Sequence, residues 1–487
     1  MNPALTLPAP PLPRPGQQRA YWRTPASASA FALGVVEVAR AHRGLVLAVV
    51  RDSHGAQSLE HDLRLLGGEL PILHFPDWET LPYDLFSPHP DIVSQRVAAL
   101  YRLPGINRGV LVVPVSSLMQ RLPPPSWIAG NALDLRKGQR LDMDAERRRL
   151  EASGYRNVPQ VLDPGDFAVR GALLDLFPMG SEVPYRIELF DDVIDTLRSF
   201  DPETQRSDHT VDSVRLLPAR EFPLDLASTR RVREILSDRF DFDPRRCPLY
   251  QDLREGGTPA GIEYYLPLFF ERTATLFEHL GAGTLVVVGD GVTAAASAFW
   301  AQTRDRWEQR RHDVERPVLA PEEIFLPPDA LRAELNRAER IEVCGPEHPH
   351  YADALAMAEQ AVPVLPWIRK GEESGAALKS FLANYPGDVL IAADSAGRRE
   401  ALIELLDSAG LRARVVSWQS FLSDVAQREH AAQETRADLV PLASDEVSIA
   451  VLGFEEGFAL TTPAIAVLTE RQLFPERADQ SRRRKRA

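Results

Sequence analysis

The sequence predicts a multidomain α/β protein: a parallel-sheet domain in two chain segments, an α+β module inserted between them, and a second, smaller α/β domain. Three observations predict it. Apolar strand-like runs alternate with helix-periodic segments from about residue 27 to 114, as in a parallel sheet with helical crossovers. The pattern breaks after Pro123-Pro124-Pro125 into short strands and tight turns, then resumes near Thr229. A further α/β stretch opens near Trp367, after a proline-rich and irregular interval. A chain of 487 residues has room for roughly three domains at about 150 residues each.

Residues 1–25 are rich in proline and are expected to be a disordered lead. The first domain is assigned to 26–126 and 214–345. Its first segment has a helix at 27–41, a buried strand at 45–50, a helix at 57–66 and a strand at 70–75. A helix at 92–101 then leads to a strand at 109–114. The inserted module spans 127–213, with short strands and one helix, 142–153, which Asp142 can cap. The first domain resumes with a helix at 229–240, a strand ending near Gly289 and a helix at 293–311. A Pro-rich stretch, 316–328, and a linker, 346–364, precede the small domain at 365–475. Its strands fall at 389–393, 413–417, 448–452 and 464–468, and its helices at 375–384 and 397–408. Residues 476–487 form a basic tail.

The module's most informative stretch is 170–206. It holds three strand-like runs separated by the turn signals Pro178–Gly180 and Asp191-Asp192. In 184–190, alternation puts Tyr185, Ile187 and Leu189 on one face and Arg186, Glu188 and Phe190 on the other. An aromatic beside an arginine on a polar face is the composition of a protein-binding hot spot. It is also compatible with an ordinary hairpin whose Phe190 is covered by a neighbouring segment.

Composition excludes several classes. The hydrophobic and charged fractions, 44% and 26%, are those of an ordinary globular protein. No apolar run approaches the roughly 18 residues that span a membrane, and the N-terminus lacks the layout of a signal peptide. A net charge of −13 argues against a surface devoted to nucleic acid. Locally, Arg136–Arg156 is basic, which reads first as a solvated helix face. The two cysteines, Cys247 and Cys344, are far apart and offer no disulfide framework, so a reducing cytoplasm is the natural setting. Cys344, His348 and His350 outline a metal site but lack a fourth ligand nearby, which favours a plain loop.

No active site assembles from the motifs. Gly289-Asp290-Gly291-Val292-Thr293-Ala294 follows a strand and opens a helix, as a dinucleotide loop would, but lacks the acidic residue about 20 positions on. Lys379-Ser380 would need glycine before the lysine to bring backbone against a phosphate, and Leu378 stands there. The entry to the first helix, Thr24–Leu33, has neither the glycines nor the lysine of a phosphate loop, so magnesium-nucleotide binding is not expected there. Asp77, Glu79 and Asp84 could suggest acid/base carboxylates. Trp78, Tyr83 and Phe86 in the same segment favour an aromatic-anchored loop instead.

The segment beginning Phe75-Pro76-Asp77-Trp78-Glu79-Thr80-Leu81-Pro82-Tyr83-Asp84-Leu85-Phe86 resembles the N-terminal part of the bacterial transcription-repair coupling factors. So do 109–121, the run Pro259-Ala260-Gly261-Ile262-Glu263-Tyr264-Tyr265 and, more weakly, Gly397-Arg398-Arg399-Glu400-Ala401-Leu402. The resemblance runs from about residue 20 to 475. It implies a RecA-like, UvrB-like first domain whose ATP site is degenerate. It implies an inserted module that binds the damage-recognition ATPase UvrA, with Arg170, Arg186 and Phe190 as contact residues. The DNA-inserting aromatic hairpin of UvrB has no room between Phe75 and Ile92.

The expected function follows from that resemblance. The chain would be an adaptor that brings UvrA, and with it nucleotide excision repair, to RNA polymerase stalled at DNA damage. RNA polymerase and DNA would be met by domains beyond Ala487, including an ATP- and magnesium-dependent translocase motor. No cofactor is expected in this chain, and no enzymatic activity is expected from it alone. The family's C-terminal domain masks the UvrA-binding face, so this chain would expose it. The alternative is a UvrB-like DNA-binding ATPase of excision repair. No chemistry is legible in the 365–475 domain.

Overall fold

The computed structural model describes residues 5–367, 375–435 and 446–474. Twenty strands form three six-stranded sheets and one two-stranded sheet. The first four strands are β1 (Arg19–Arg23), β2 (Leu45–Val50), β3 (Ile72–His74) and β4 (Gly109–Pro114). The module contributes β5 (Leu133–Arg136), β6 (Arg156–Asn157), β7 (Asp166–Arg170), β8 (Leu173–Leu176), β9 (Tyr185–Phe190), β10 (Val193–Phe200), β11 (Ser207–Thr210) and β12 (Ser213–Leu216). Then come β13 (Leu285–Val288) and β14 (Arg340–Cys344). The last six are β15 (Glu359–Gln360), β16 (Asp388–Ala393), β17 (Arg412–Val415), β18 (Glu446–Val451), β19 (Phe458–Thr461) and β20 (Ala464–Thr469).

The first sheet runs β1-β14-β13-β2-β4-β3 and is parallel throughout. Every residue of β2 and β4 is buried, because a parallel strand covered on both faces must be apolar on both. Helix α1 (Ala28–Ala41) starts at Ser27, whose hydroxyl accepts from the Ala30 amide. Helix α2 (Ser53–Gly67) is capped in the same way by Asp52. Helix α3 (Pro90–Arg102) follows the aromatic loop and begins with proline, where a missing N–H costs nothing.

The expected disordered lead is corrected. From Leu5 onward the lead packs against the first domain, and Arg19–Arg23 is the edge strand of the first sheet, in parallel register with β14. Its anchor is Trp22, fully buried against Gly34 of α1, where an added Cβ would lie 2.4 Å from the indole. The only apolar run of β1, Ala20-Tyr21-Trp22, is closed at both ends by arginine, follows a proline-rich stretch and is too short to announce a strand.

The linker at 346–364 is also corrected. Leu355 bridges to Trp22, Met357 is buried in the first core, and β15 pairs with β19 of the third sheet. The segment therefore belongs to the structure on both sides of it. The inserted module likewise runs past 213, since β12 pairs with β5 in the two-stranded sheet. In the 316–328 stretch, Pro321–Ile324 is a short buried helix and a second helix starts at Pro328. The helix Trp418–Thr435 and strand β19 add to the elements expected from the sequence. The basic tail at 476–487 lies outside the described residues.

The module sheet, β11-β10-β9-β8-β7-β6, packs its inner face on α3 through Phe167, Leu174, Ile187 and Leu197 against Val93 and Val97. The third sheet runs β15-β19-β20-β16-β18-β17, and its four strands from β20 to β17 are parallel. One face of this sheet is covered by Trp418, Phe421 and Val425, which share a continuous core with α1 and α2 of the first domain. The first and last α/β units thus join through apolar side chains.

Candidate partner-binding site

The eight residues between β8 and β9 carry the turn Pro178–Gly180, and Asp191, at φ 56°, turns β9 into β10. These turns fix the register, and the register fixes the site. Arg170 lies opposite Leu173, which lies opposite Glu188 and then Thr196. Ala168, Asp175, Arg186 and Arg198 form the neighbouring row. Directly opposite residues point to one side of a sheet. Arg170, Arg186 and Phe190 therefore share the outer face, opposite the apolar inner face of Ile187 and Leu189. This settles the placement of Arg170, which alternation along its own strand does not.

The three predicted residues differ in freedom. Phe190 is 74% exposed at the end of β9. The Arg186 side chain is only 18% exposed. Its Nε and Nη2 donate to the two oxygens of Asp175 at 2.8 and 3.0 Å, and Nη1 donates to the Gln205 carbonyl at 3.3 Å. The guanidinium also lies 4.9 Å above the Phe200 ring. The hydrogen bonds to Asp175, which is 1% exposed, hold the arginine above its ordinary pKa. Arg170 is half-exposed: Nη2 donates to the Pro159 carbonyl at 2.6 Å and Nη1 stands 3.9 Å from Asp175. Asp175, which the sequence argument passed over, thus organises both arginines. No local pattern marks it, because its place opposite Arg186 depends on the cross-strand register.

The other candidates resolve as follows. At α1, the amides that would face a phosphate are taken by carboxylates. Ala26 N–H donates to Glu359 and Ala28 N–H to Glu456, the latter from the loop before β19. Beside them Asp62 of α2 is buried and accepts from the Ser29 hydroxyl. Burial pushes its carboxyl up to about 6, with Glu455 and Glu456 adding to the shift and Ser29 and His61 opposing it. At the Gly289–Ala294 turn the Gly289 amide donates to the Val49 carbonyl, and the Asp290 carboxylate leans on Gly345.

Lys379 is exposed on the helix Ala376–Asn384. His350 stacks on Tyr21 at 4.2 Å, and Cys344 donates to the Glu342 carbonyl. No metal-binding group of three His, Cys, Asp or Glu occurs among the described residues. Asp77 accepts from Ser116 and from the Glu79 amide, while Trp78 and Tyr83 are buried, so 75–90 is an aromatic-anchored loop. Arg96, stacked on Phe75 and Trp78 and paired with Glu221, fastens it. In the basic stretch, Arg147, Arg149 and Arg156 pair with Glu151, Glu146 and Asp166. No helix among the described residues is long and apolar enough to cross a membrane.

A parallel-sheet body interrupted by such a module is a multidomain α/β architecture, and the family matches make its module UvrB-like. Residues 133–222 match the UvrB interaction domain family, and residues 381–473 match the D3 domain of the MFD proteins. The transcription-repair-coupling factor of Escherichia coli is 43% identical over 379 residues, covering 78% of this chain and 33% of that protein. That of Haemophilus influenzae is 36% identical over 460 residues, 94% of this chain and 38% of its own length. That of Bacillus subtilis is 28% identical over 265 residues, 50% and 22%. The chain belongs to the transcription-repair coupling factor family, a family of DNA repair, and carries its N-terminal UvrB-like and D3 regions. It spans about a third of the length of these curated relatives.

Proposed function

We propose that the chain is an adaptor which binds UvrA through the outer face of its inserted module and so recruits nucleotide excision repair to stalled RNA polymerase. The observation that carries this reading is Phe190, a large aromatic held out in solvent on the same face as Arg170 and Arg186. An exposed aromatic on a rigid sheet loses little conformational freedom on binding, and arginines beside it suit a partner's carboxylates. RNA polymerase, DNA and the ATP-driven motor are assigned to the remainder of the family's length.

Affinity for purified UvrA tests the reading. Phe190→Ala and Arg170→Ala should each weaken binding at least tenfold, the scale of an ordinary hot spot of about 2 kcal/mol. Wild-type affinity in both variants would overturn it. Arg186→Ala is not a clean probe, because it also strips Asp175 of its partner. The alternative, a UvrB-like ATPase, predicts nucleotide at the N-terminus of α1. Glu359 and Glu456 already hold those amides and would repel a triphosphate. Titration of the chain with ATP and magnesium should release no heat of binding at that site.

A further inference from the structure

Arg198 sits on β10 directly opposite Arg186, on the outer face of the module sheet. Two like charges at directly opposed positions repel. Asp175 relieves Arg186, whose donors are largely occupied by Asp175 and Gln205. Arg170 has its Nη2 on the Pro159 carbonyl and only a 3.9 Å approach to Asp175. Of the other acids on this face, Glu188 accepts from Thr196 and Asp166 is paired with Arg156, at the far strand. The half-buried Arg198 side chain has neither a hydrogen bond nor an ion pair among the described residues. Of Arg170, Arg186 and Arg198, only Arg198 keeps its whole donor fork available, and it has no ion-pair partner among the described residues.

We infer that Arg198 is a direct contact of the binding face, donating its guanidinium fork to a carboxylate of the partner, while Arg186 acts as a positioning residue that neutralises Asp175 and ties β9 to β8. This inference rests on the adaptor reading and deepens it. The partner surface it fits carries an acidic group within reach of Arg198 and an apolar recess for Phe190. A planar two-pronged donor is matched to a carboxylate in a way that a lysine ammonium is not.

The test uses purified UvrA, the whole chain and four variants: Arg198→Ala, Arg198→Lys, Arg198→Glu and Phe190→Ala. Affinity is read alongside the urea midpoint. Arg198→Ala should weaken binding at least tenfold and flatten its salt dependence, Arg198→Lys should recover only part of the loss, and Arg198→Glu should bind least. The urea midpoint of Arg198→Ala should equal or exceed that of wild type, because removing it relieves the repulsion with Arg186. If Arg198→Ala binds normally while Phe190→Ala fails, Arg198 is not a contact and the adaptor reading stands. If both bind normally, Arg198 is not a contact and the placement of UvrA binding at Phe190 fails with it. A loss of affinity that comes with a lower urea midpoint would make Arg198 structural and overturn the inference.

Discussion

At the scale of single residues, the site separates exposure from support. Arg186 and Phe190 lie on one strand face, but only Phe190 faces solvent with its whole ring. Arg186→Ala leaves a nearly fully buried carboxylate with one cation at 3.9 Å. Breaking a buried pair by removing one partner costs about 3–5 kcal/mol, and Arg170 nearby favours the lower end. The urea midpoint of Arg186→Ala should therefore fall clearly, and adding Asp175→Asn should restore part of it. Phe190→Ala, which removes no buried contact of this size, should stay within about 1 kcal/mol of wild type. Equal stability of Arg186→Ala and wild type would refute the pairing. Alternation of apolar and polar residues was enough to place Arg186 and Phe190 together in the sequence. The Asp175 pairing was not legible, because it depends on a cross-strand register set by the eight-residue connection between β8 and β9.

At the scale of elements, legibility followed burial. β2, β4 and β16 are buried along their whole length, so their apolar runs announce them. β1 and β14 mix arginine and glutamate with apolar residues, and their pairing joins opposite ends of the first domain. Pattern within a window cannot show that pairing. The helix Trp418–Thr435 carries Trp418, Phe421 and Val425 at helical spacing, but the polar residues between them dilute the signal. Gly34 shows how tightly α1 and β1 are fitted. In an exposed helix Gly→Ala gains about 1 kcal/mol. Here the new methyl would meet the Trp22 ring at 2.4 and 2.6 Å and Pro10 at 3.0 Å. Gly34→Ala should instead cost about 1–3 kcal/mol as overpacking, read as a lower urea midpoint together with a shifted tryptophan emission. A stabilised variant would mean that β1 does not dock as described.

At the scale of the whole molecule, the last α/β unit is tied to the first by shared apolar core and by carboxylates set against α1. Asp62 makes that junction sensitive to pH. Its carboxyl is raised to about 6 by burial, so the folded chain favours the protonated form. The stability this gives is complete below the ordinary aspartate range, near pH 4, and is lost as pH rises through about 6. Charging the group should cost on the order of 3 kcal/mol. Asp62→Asn should match wild type in urea midpoint at pH 4.5 and exceed it at pH 7.5. An equal difference at both pH values would remove Asp62 as the cause. The multidomain α/β class was visible in the sequence; the joining of the first and last sheets was not, because it depends on which faces meet in space.

The edge position of β1 also sets a timetable. Its partner β14 lies about 320 residues further along the chain. At the usual pace of synthesis, about 5–20 residues per second, the first strand waits roughly 15–65 s before that partner has been made. Throughout that interval Tyr21 and Trp22 have no sheet to join. Strand β1, made long before β14, is thus among the last parts of the first domain to reach its place, and a nascent chain paused before residue 340 carries an unfinished sheet without a partner for Trp22.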